Sequence, residues 1–226
     1  MPQLFIVATP IGNREDITLR AIKTLESVDF IICEDTRHSG LLLSHLGIKK
    51  PLKSLHAKSS PAQLEKLVEN IKSVKKIAYI SDAGTPGISD PGFILIKKCI
   101  QNDIKIVPIP GPGAFLALLS AAGLPMNEFF FAGFIPHKKG RQTFIKSLEN
   151  RDHTVVFYES VHRFPRLLDE VQEFLGPNRY MVVGRELTKI HEEIFRGTVS
   201  DAQLHFCTEN IKGEFSIAIA PNNFNS

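Results

Sequence analysis

Short apolar stretches recur along the first half of the chain, each followed by a turn and then by a longer amphipathic segment. LFIVA (4–8), DFIICE (29–34), KIAYI (76–80) and IKIVPI (104–109) are rich in Ile and Val. Runs of this length, bounded by turn residues, predict buried strands of a largely parallel sheet. Between them, TLRAIKTLESV follows the turn PIGNREDI, and SPAQLEKLVENIKSV opens with Ser60 before Pro61. That pair reads as an N-cap followed by a first-turn proline. FILIKKCIQN predicts a further helix. Strands alternating with helices define an α/β class.

The rhythm breaks at IPGPGAFLALLSAAGLP (109–125), where Gly and Pro make a turn and Ala114 to Ala122 predict a small-residue helix. Beyond it FFFAGFI, TVVFYES, YMVVGREL and FSIAIAP are strand-like, with RQTFIKSLEN and RFPRLLDEVQEFL as helices between some of them. The expected organisation is two α/β domains, 1–113 and 114–226. A cleft between two such domains is a common place for a small-molecule site.

Composition narrows the picture only a little. Hydrophobic residues at 43% and charged ones at 23% are ordinary for a soluble globular chain of 226 residues. Nothing approaches the run of about 18 apolar residues that a membrane span needs. MPQLFIVATP lacks the basic start and cleavage site of a secretory signal. Cys33, Cys99 and Cys207 lie far apart, with neither a CxxC spacing nor a His partner. That argues against a disulfide framework or a zinc site and fits a reducing, cytoplasmic setting. The net charge of +3 permits an anionic partner without requiring one.

Candidate chemistry gathers after the strands. SDAGTPGISDPG (81–92) packs glycines, prolines and aspartates into a strand-to-helix turn. Glycines there let backbone approach a ligand, and prolines stiffen the loop. The pattern is neither GxGxxG nor GxxxxGK[ST], so the usual dinucleotide and nucleoside-triphosphate signatures are absent. TPIGN (9–13) and IPGPGA (109–114) have the same character. Three such turns after parallel strands share the carboxyl edge of one sheet, where α/β proteins bind ligands.

CEDTRHSG (33–40) adds Glu34, Asp35, Arg37 and His38 to that edge. Its plain alternative is a helix cap at Asp35 or Thr36 with Arg37 solvated. FYESVHR (157–163) and GRELTKIHEE (184–193) repeat the arrangement in the second half, where Glu186, Lys189 and His191 read equally as a solvated face. HEE is not HExxH, so a zincin is excluded. HKKGR (137–141) is the compact basic run, either a solvated loop or a means of neutralising phosphates. Cys33 reads as a small buried apolar residue.

In this order, TPIGNREDITLRA, EDTRHS, SDAGTPGISDPG, PIPGPGA, GFIPHKKGR, FYESVHR, GRELTKIHEE, RGT and KGEF closely resemble the ribosomal RNA small-subunit methyltransferase I family. That family is a branch of the tetrapyrrole methylases, which use S-adenosylmethionine (SAM) and usually carry a GDP-type motif where this chain has SDA. The resemblance runs from Leu4 to about Ala220. It implies two unequal α/β domains of the class III SAM methyltransferase type, with SAM in the interdomain cleft, and a cytoplasmic homodimer. It also implies methylation of a cytidine ribose 2′-hydroxyl in the decoding centre of 16S rRNA, within the 30S subunit. Neither a metal nor a membrane is implied. Many members continue for several tens of residues past the KGEF strand, whereas this chain stops at Ser226.

Carried over by motif, the resemblance implies Pro10, Asp82, Gly84, Thr85, Gly113, Ala114, Tyr158 and Arg185 as cofactor-binding residues. A ribose hydroxyl is a poor nucleophile and needs a group to take its proton. The candidates are Glu34 and Asp35, with Glu186 and Lys189 as alternates, while Arg37 or Lys189 would hold flanking phosphates. Two further readings stay open: the same fold acting on a tetrapyrrole or a protein, and a SAM-binding scaffold without catalysis. A dehydrogenase-like nucleotide-binding enzyme is excluded, because no GxGxxG follows the first strand.

Overall fold

Successive Ile, Val and Phe residues leave the central strands of the first half no polar face to turn to water, and they are covered on both sides. The structure, a computed structural model, describes residues 1–56, 58–207 and 212–224. The chain divides into two compact units, Met1–Gly113 and Ala114–Ser226.

The first unit holds β1 (Gln3–Val7), β2 (Phe30–Cys33), β3 (Leu52–Ser54), β4 (Lys76–Ile80) and β5 (Lys105–Ile109), in the order β3-β2-β4-β1-β5. Every pairing among them is parallel. Alternate side chains build two cores. Leu4, Ile6, Ile32, Ile77 and Tyr79 pack with Leu67 and Ile71 of α3 (Pro61–Lys72) and Leu95 of α4 (Gly92–Ile100). Val7, Ile31, Ala78 and Ile80 pack with Ala21 and Leu25 of α1 (Leu19–Ser27) and Leu43 of α2 (Thr36–His45). Helix α3 starts as its sequence predicts, with Ser60 and Gln63 in a reciprocal capping box and Pro61 in the first turn. The short edge strand β3 was not apparent in the sequence, because LKS offers no alternation over its three residues.

The second unit begins with α5 (Ala114–Ala122) and contains a mixed sheet ordered β6-β7-β10-β8-β9. Its strands are β6 (Phe129–Phe134), β7 (Thr154–Glu159), β8 (Tyr180–Arg185), β9 (Glu193–Thr198) and β10 (Phe215–Ile219). β6 and β7 are parallel, and β10 runs antiparallel to both β7 and β8. The carboxyl ends of β6, β7 and β8 therefore share one edge. Phe157, Met181, Val183 and Ile217 face a core completed by α6 (Arg141–Ser147), α7 (Phe164–Leu175) and α8 (Val199–His205).

Arg141 corrects one sequence expectation. It ends the basic run HKKGR, yet only 1% of its side chain is exposed. Nη1 donates to Glu159 Oε2 and Nε to Glu170 Oε2, each at 2.6 Å. A guanidinium fits this role because its fork serves two carboxylates in fixed directions. Removing one partner of a buried pair leaves an uncompensated charge, at a cost of about 3–5 kcal/mol. Arg141→Ala is expected to lose stability on that scale in urea unfolding. A change below about 1 kcal/mol would mean that water reaches the two carboxylates.

Candidate functional site

The turns after β1, β4 and β5 come together because these strands are neighbours in one parallel sheet. Thr9 N–H donates to the Gly84 carbonyl at 2.9 Å, and Gly84 N–H returns a bond to the Thr9 carbonyl at 3.1 Å. Beneath them the Thr9 hydroxyl donates to the Ser81 carbonyl, and the Ser81 hydroxyl to the Gly84 carbonyl, each at 3.1 Å. Thr85 Oγ1 donates to the Pro112 carbonyl at 2.9 Å, tying in the third turn. Gly84 has φ +80°, and a Cβ there would lie 3.4 Å from Ile11 and 3.7 Å from the Pro112 carbonyl. Glycine is thus required by conformation, while the other two turns lie close enough that a side chain larger than a methyl would press on them.

The far end of the 81–92 loop is held by Asp90. Its Oδ1 accepts from Gly87 N at 2.7 Å and Gly92 N at 2.6 Å. A Cβ on Gly92 would meet the Tyr79 ring at 2.5 Å and Asp90 at 2.8 Å, so the loop closes directly onto the core. Asp90 was not among the sequence candidates. The repeated Ser-Asp at 81–82 and 89–90 is the signal that marks it.

The turn after β2 joins from the other side. Asp35 N donates to Asp82 Oδ1 at 3.3 Å, and His38 Nε2 donates to the Asp82 carbonyl at 3.1 Å. Pro10, Glu34, Asp35, Asp82, Gly84, Thr85 and Gly113 therefore all lie at the carboxyl edge of the first sheet or in its turns.

The neighbouring acids Glu34 and Asp35 differ in chemistry. Asp35 caps α2, accepting from Arg37 N at 2.8 Å and pairing with Arg37 Nη2 at 3.0 Å. Those hydrogen bonds, the guanidinium's first, hold its carboxyl down at about 2. Arg37 itself extends into solvent. Glu34 has no such cation. Burial first, and then the charges of Asp90 and Asp82, push its carboxyl up to about 7. Burial also raises Asp90.

Candidates in the second unit are engaged locally. Tyr158 Oη accepts from Phe115 N at 3.2 Å, in the first turn of α5 that Ala114 opens. Arg185 donates to the Lys212 carbonyl at 2.8 Å and pairs with Glu193 at 3.0 Å. Lys189 Nζ bridges Glu186 at 2.8 Å and Glu214 at 3.0 Å. Burial pushes the Glu186 carboxyl up, but the hydrogen bonds from Lys189 and the Glu214 N–H, with the charges of Lys189 and Arg185, together outweigh it and hold the group below its usual range. Glu186 and Lys189 thus neutralise each other. The first unit leaves one acid, Glu34, poised near neutrality.

A parallel α/β sheet with glycine-rich turns gathered at its carboxyl edge defines a ligand-binding α/β protein. Residues 3–203 match the family model described as Tetrapyrrole (Corrin/Porphyrin) Methylases, and the chain belongs to that family, whose members are SAM-dependent methyltransferases. It is 42% identical to the "Ribosomal RNA small subunit methyltransferase I" of Thermotoga maritima, over 97% of this chain and 99% of that protein. Its identity to the protein of that name in Haemophilus influenzae is 49%, over 88% of this chain and 70% of the relative. Two solved structures share the fold. Diphthine synthase has a TM-score of 0.74 at 13% identity, covering 96% of this chain and 90% of that one. Uroporphyrin-III-C-methyltransferase from Thermus thermophilus has a TM-score of 0.69 at 19% identity, covering 97% and 94%. Among the described residues no acid, His or Cys cluster is arranged to hold a metal, and no helix is long and apolar enough to cross a membrane.

Glu34 makes stability depend on pH. Its folded carboxyl binds a proton up to about pH 7, against 4.5 when unperturbed. Folding therefore takes up a proton between those values, and stability falls as pH rises through that window. Relative to Glu34→Gln, the wild-type urea midpoint is expected to drop between about pH 4.5 and about 7, with the smallest difference below it. Parallel midpoints across the window would return Glu34 to an ordinary carboxylate.

Proposed function

We propose that this chain transfers the methyl group of SAM to the ribose 2′-hydroxyl of a cytidine in the decoding centre of 16S rRNA. It acts on the 30S subunit as a cytoplasmic homodimer. The observation that carries this reading is 42% identity, over nearly the full length of both chains, to a relative named as a ribosomal RNA methyltransferase.

The first unit's edge fits the cofactor. SAM presents a sulfonium and an ammonium, and Asp35, Asp82 and Asp90 surround the edge with carboxylates. Pro10, Asp82, Gly84, Thr85 and Gly113 are the residues that would hold it, chiefly through backbone at the turns where side chains are absent or small. SAM supplies an activated methyl, so the protein's share of the work is alignment and proton removal.

Glu34 is the residue suited to take the hydroxyl proton. A carboxyl balanced near pH 7 is ionised in about half the molecules there and is basic enough to share a proton as the bond forms. Asp35 ionises too far below neutrality to do so, and its oxygens are committed to the α2 cap and Arg37. Its role is to set the start of α2 and hold Arg37.

Labelled SAM offered to unmethylated 30S subunits, naked 16S rRNA and a porphyrinogen tests the acceptor. Label on a ribose 2′-oxygen of the 30S particle is expected. Label on the porphyrinogen alone would overturn the acceptor, and SAM binding without transfer would make the chain a scaffold. Glu34→Gln is expected to lower kcat by about 10²–10⁴ with SAM affinity kept, and the wild-type rate to climb with a midpoint near pH 7. An undiminished rate would remove Glu34 as the base. Gly84→Val, which adds a branched side chain at φ +80° against Ile11 and Pro112, is expected to abolish SAM binding in calorimetry. Retained affinity there would detach the loop from the cofactor.

A further inference from the structure

The second unit carries a cationic surface that the methyl-transfer site does not use. Because β6 and β7 are parallel, the turns that follow them leave the sheet at the same edge. These turns and the start of α7 bring His137, Lys138, Lys139, His162, Arg163 and Arg166 into one neighbourhood.

Two acids, Glu159 and Glu170, serve this neighbourhood, and both are saturated from within. Glu159 Oε2 takes Arg141, while Oε1 accepts from Arg163 Nε at 2.6 Å and Ser160 N at 2.8 Å. Glu170 Oε2 takes Arg141, and Oε1 accepts from Arg166 Nε at 2.9 Å. The buried Arg141 thus acts as an internal counter-ion shared between the two carboxylates, giving each one hydrogen bond.

The surface arginines are left under-neutralised. Three guanidinium groups face two carboxylates, and Lys138 and Lys139 are exposed with no acidic partner among the described residues. Arg141 Nη1 also lies 3.4 Å from the Pro136 carbonyl, and Arg163 Nη1 donates to the His137 ring. The lysine loop is therefore pinned at its root rather than loose.

We propose that this face docks the phosphodiester backbone of RNA through Lys138, Lys139 and the outer edges of Arg163 and Arg166. The inference rests on the reading that the acceptor is rRNA and names a surface that grips it. A fixed surface with more cations than carboxylates suits a polyanion, because phosphates neutralise the surplus and release condensed counterions. Contacts of this kind position a nucleic acid without reading its bases.

The test is binding of protein-free 16S rRNA, measured against KCl concentration, together with methyl transfer to 30S subunits. Lys138→Ala/Lys139→Ala is compared with Lys75→Ala/Lys76→Ala, a charge-matched pair at the amino end of β4. The first variant is expected to bind RNA about tenfold or more weakly and to lose about 1–2 from the slope of log affinity on log salt. SAM affinity and kcat at saturating 30S stay at wild-type values while KM rises. Equal losses in both variants would reduce the effect to overall charge and overturn the surface. A loss with 30S subunits but not with protein-free rRNA would make the partner a ribosomal protein and overturn it as well. If the wild type methylates 30S subunits and the variant keeps its RNA affinity and slope, the docking surface falls and the methylation reading stands. If the variant loses the slope while wild type methylates no RNA, the docking surface stands and the methylation reading falls.

Discussion

The reciprocal hydrogen bonds between Thr9 and Gly84 hold the first unit's candidate site together. They form an isolated antiparallel bridge between the turns that follow two adjacent parallel strands. Everything above that bridge inherits its position: Thr85 reaches the third turn through the Pro112 carbonyl, and Asp82 reaches the turn after β2 through Asp35 and His38. Backbone groups make most of these ties. Such a site depends on conformation more than on side-chain identity, which is why glycine and proline are so dense in it.

The candidate acids of the two units are held in different ways. In the second, Glu159 and Glu170 share Arg141, and Glu186 shares Lys189 with Glu214, so each acid has a cation within hydrogen-bond reach. In the first, Arg37 satisfies Asp35, while Glu34 faces Asp82 and Asp90 without compensation. Pairing gives permanent charge and fixed geometry; its absence gives a group whose charge answers to its surroundings. The first arrangement suits a scaffold or a docking face, and the second suits proton transfer.

Much of this was legible in the sequence where a local pattern decides the outcome. The Ile and Val runs became the parallel strands, Ser60-Pro61 opened α3, and the Gly/Pro turns met because their strands are neighbours. Strands β3 and β9 were not read, since LKS and EIFRGT lack a clear period. Glu34 and Asp35 could not be ranked as neighbours in sequence; what separates them is which one caps α2 and which one borders Asp90. Arg141 looked like part of a solvated basic run because its partners lie 18 and 29 residues away. Ionic burial is a long-range property that no short window contains.

The Arg141, Glu159 and Glu170 arrangement also limits how the protein can vary. Replacing any one of the three strands a charge in a dry interior, and restoring neutrality requires a second change at a distant position. An apolar replacement of the whole group can be well tolerated, yet every single-step route toward it crosses a poorly folded intermediate. The trio therefore behaves as one unit under substitution, and the loop that Arg141 pins at Pro136 is tied to it. Lys138 and Lys139, by contrast, are exposed and stand on that fixed root, so a change at either alters the surface charge without disturbing the buried foundation.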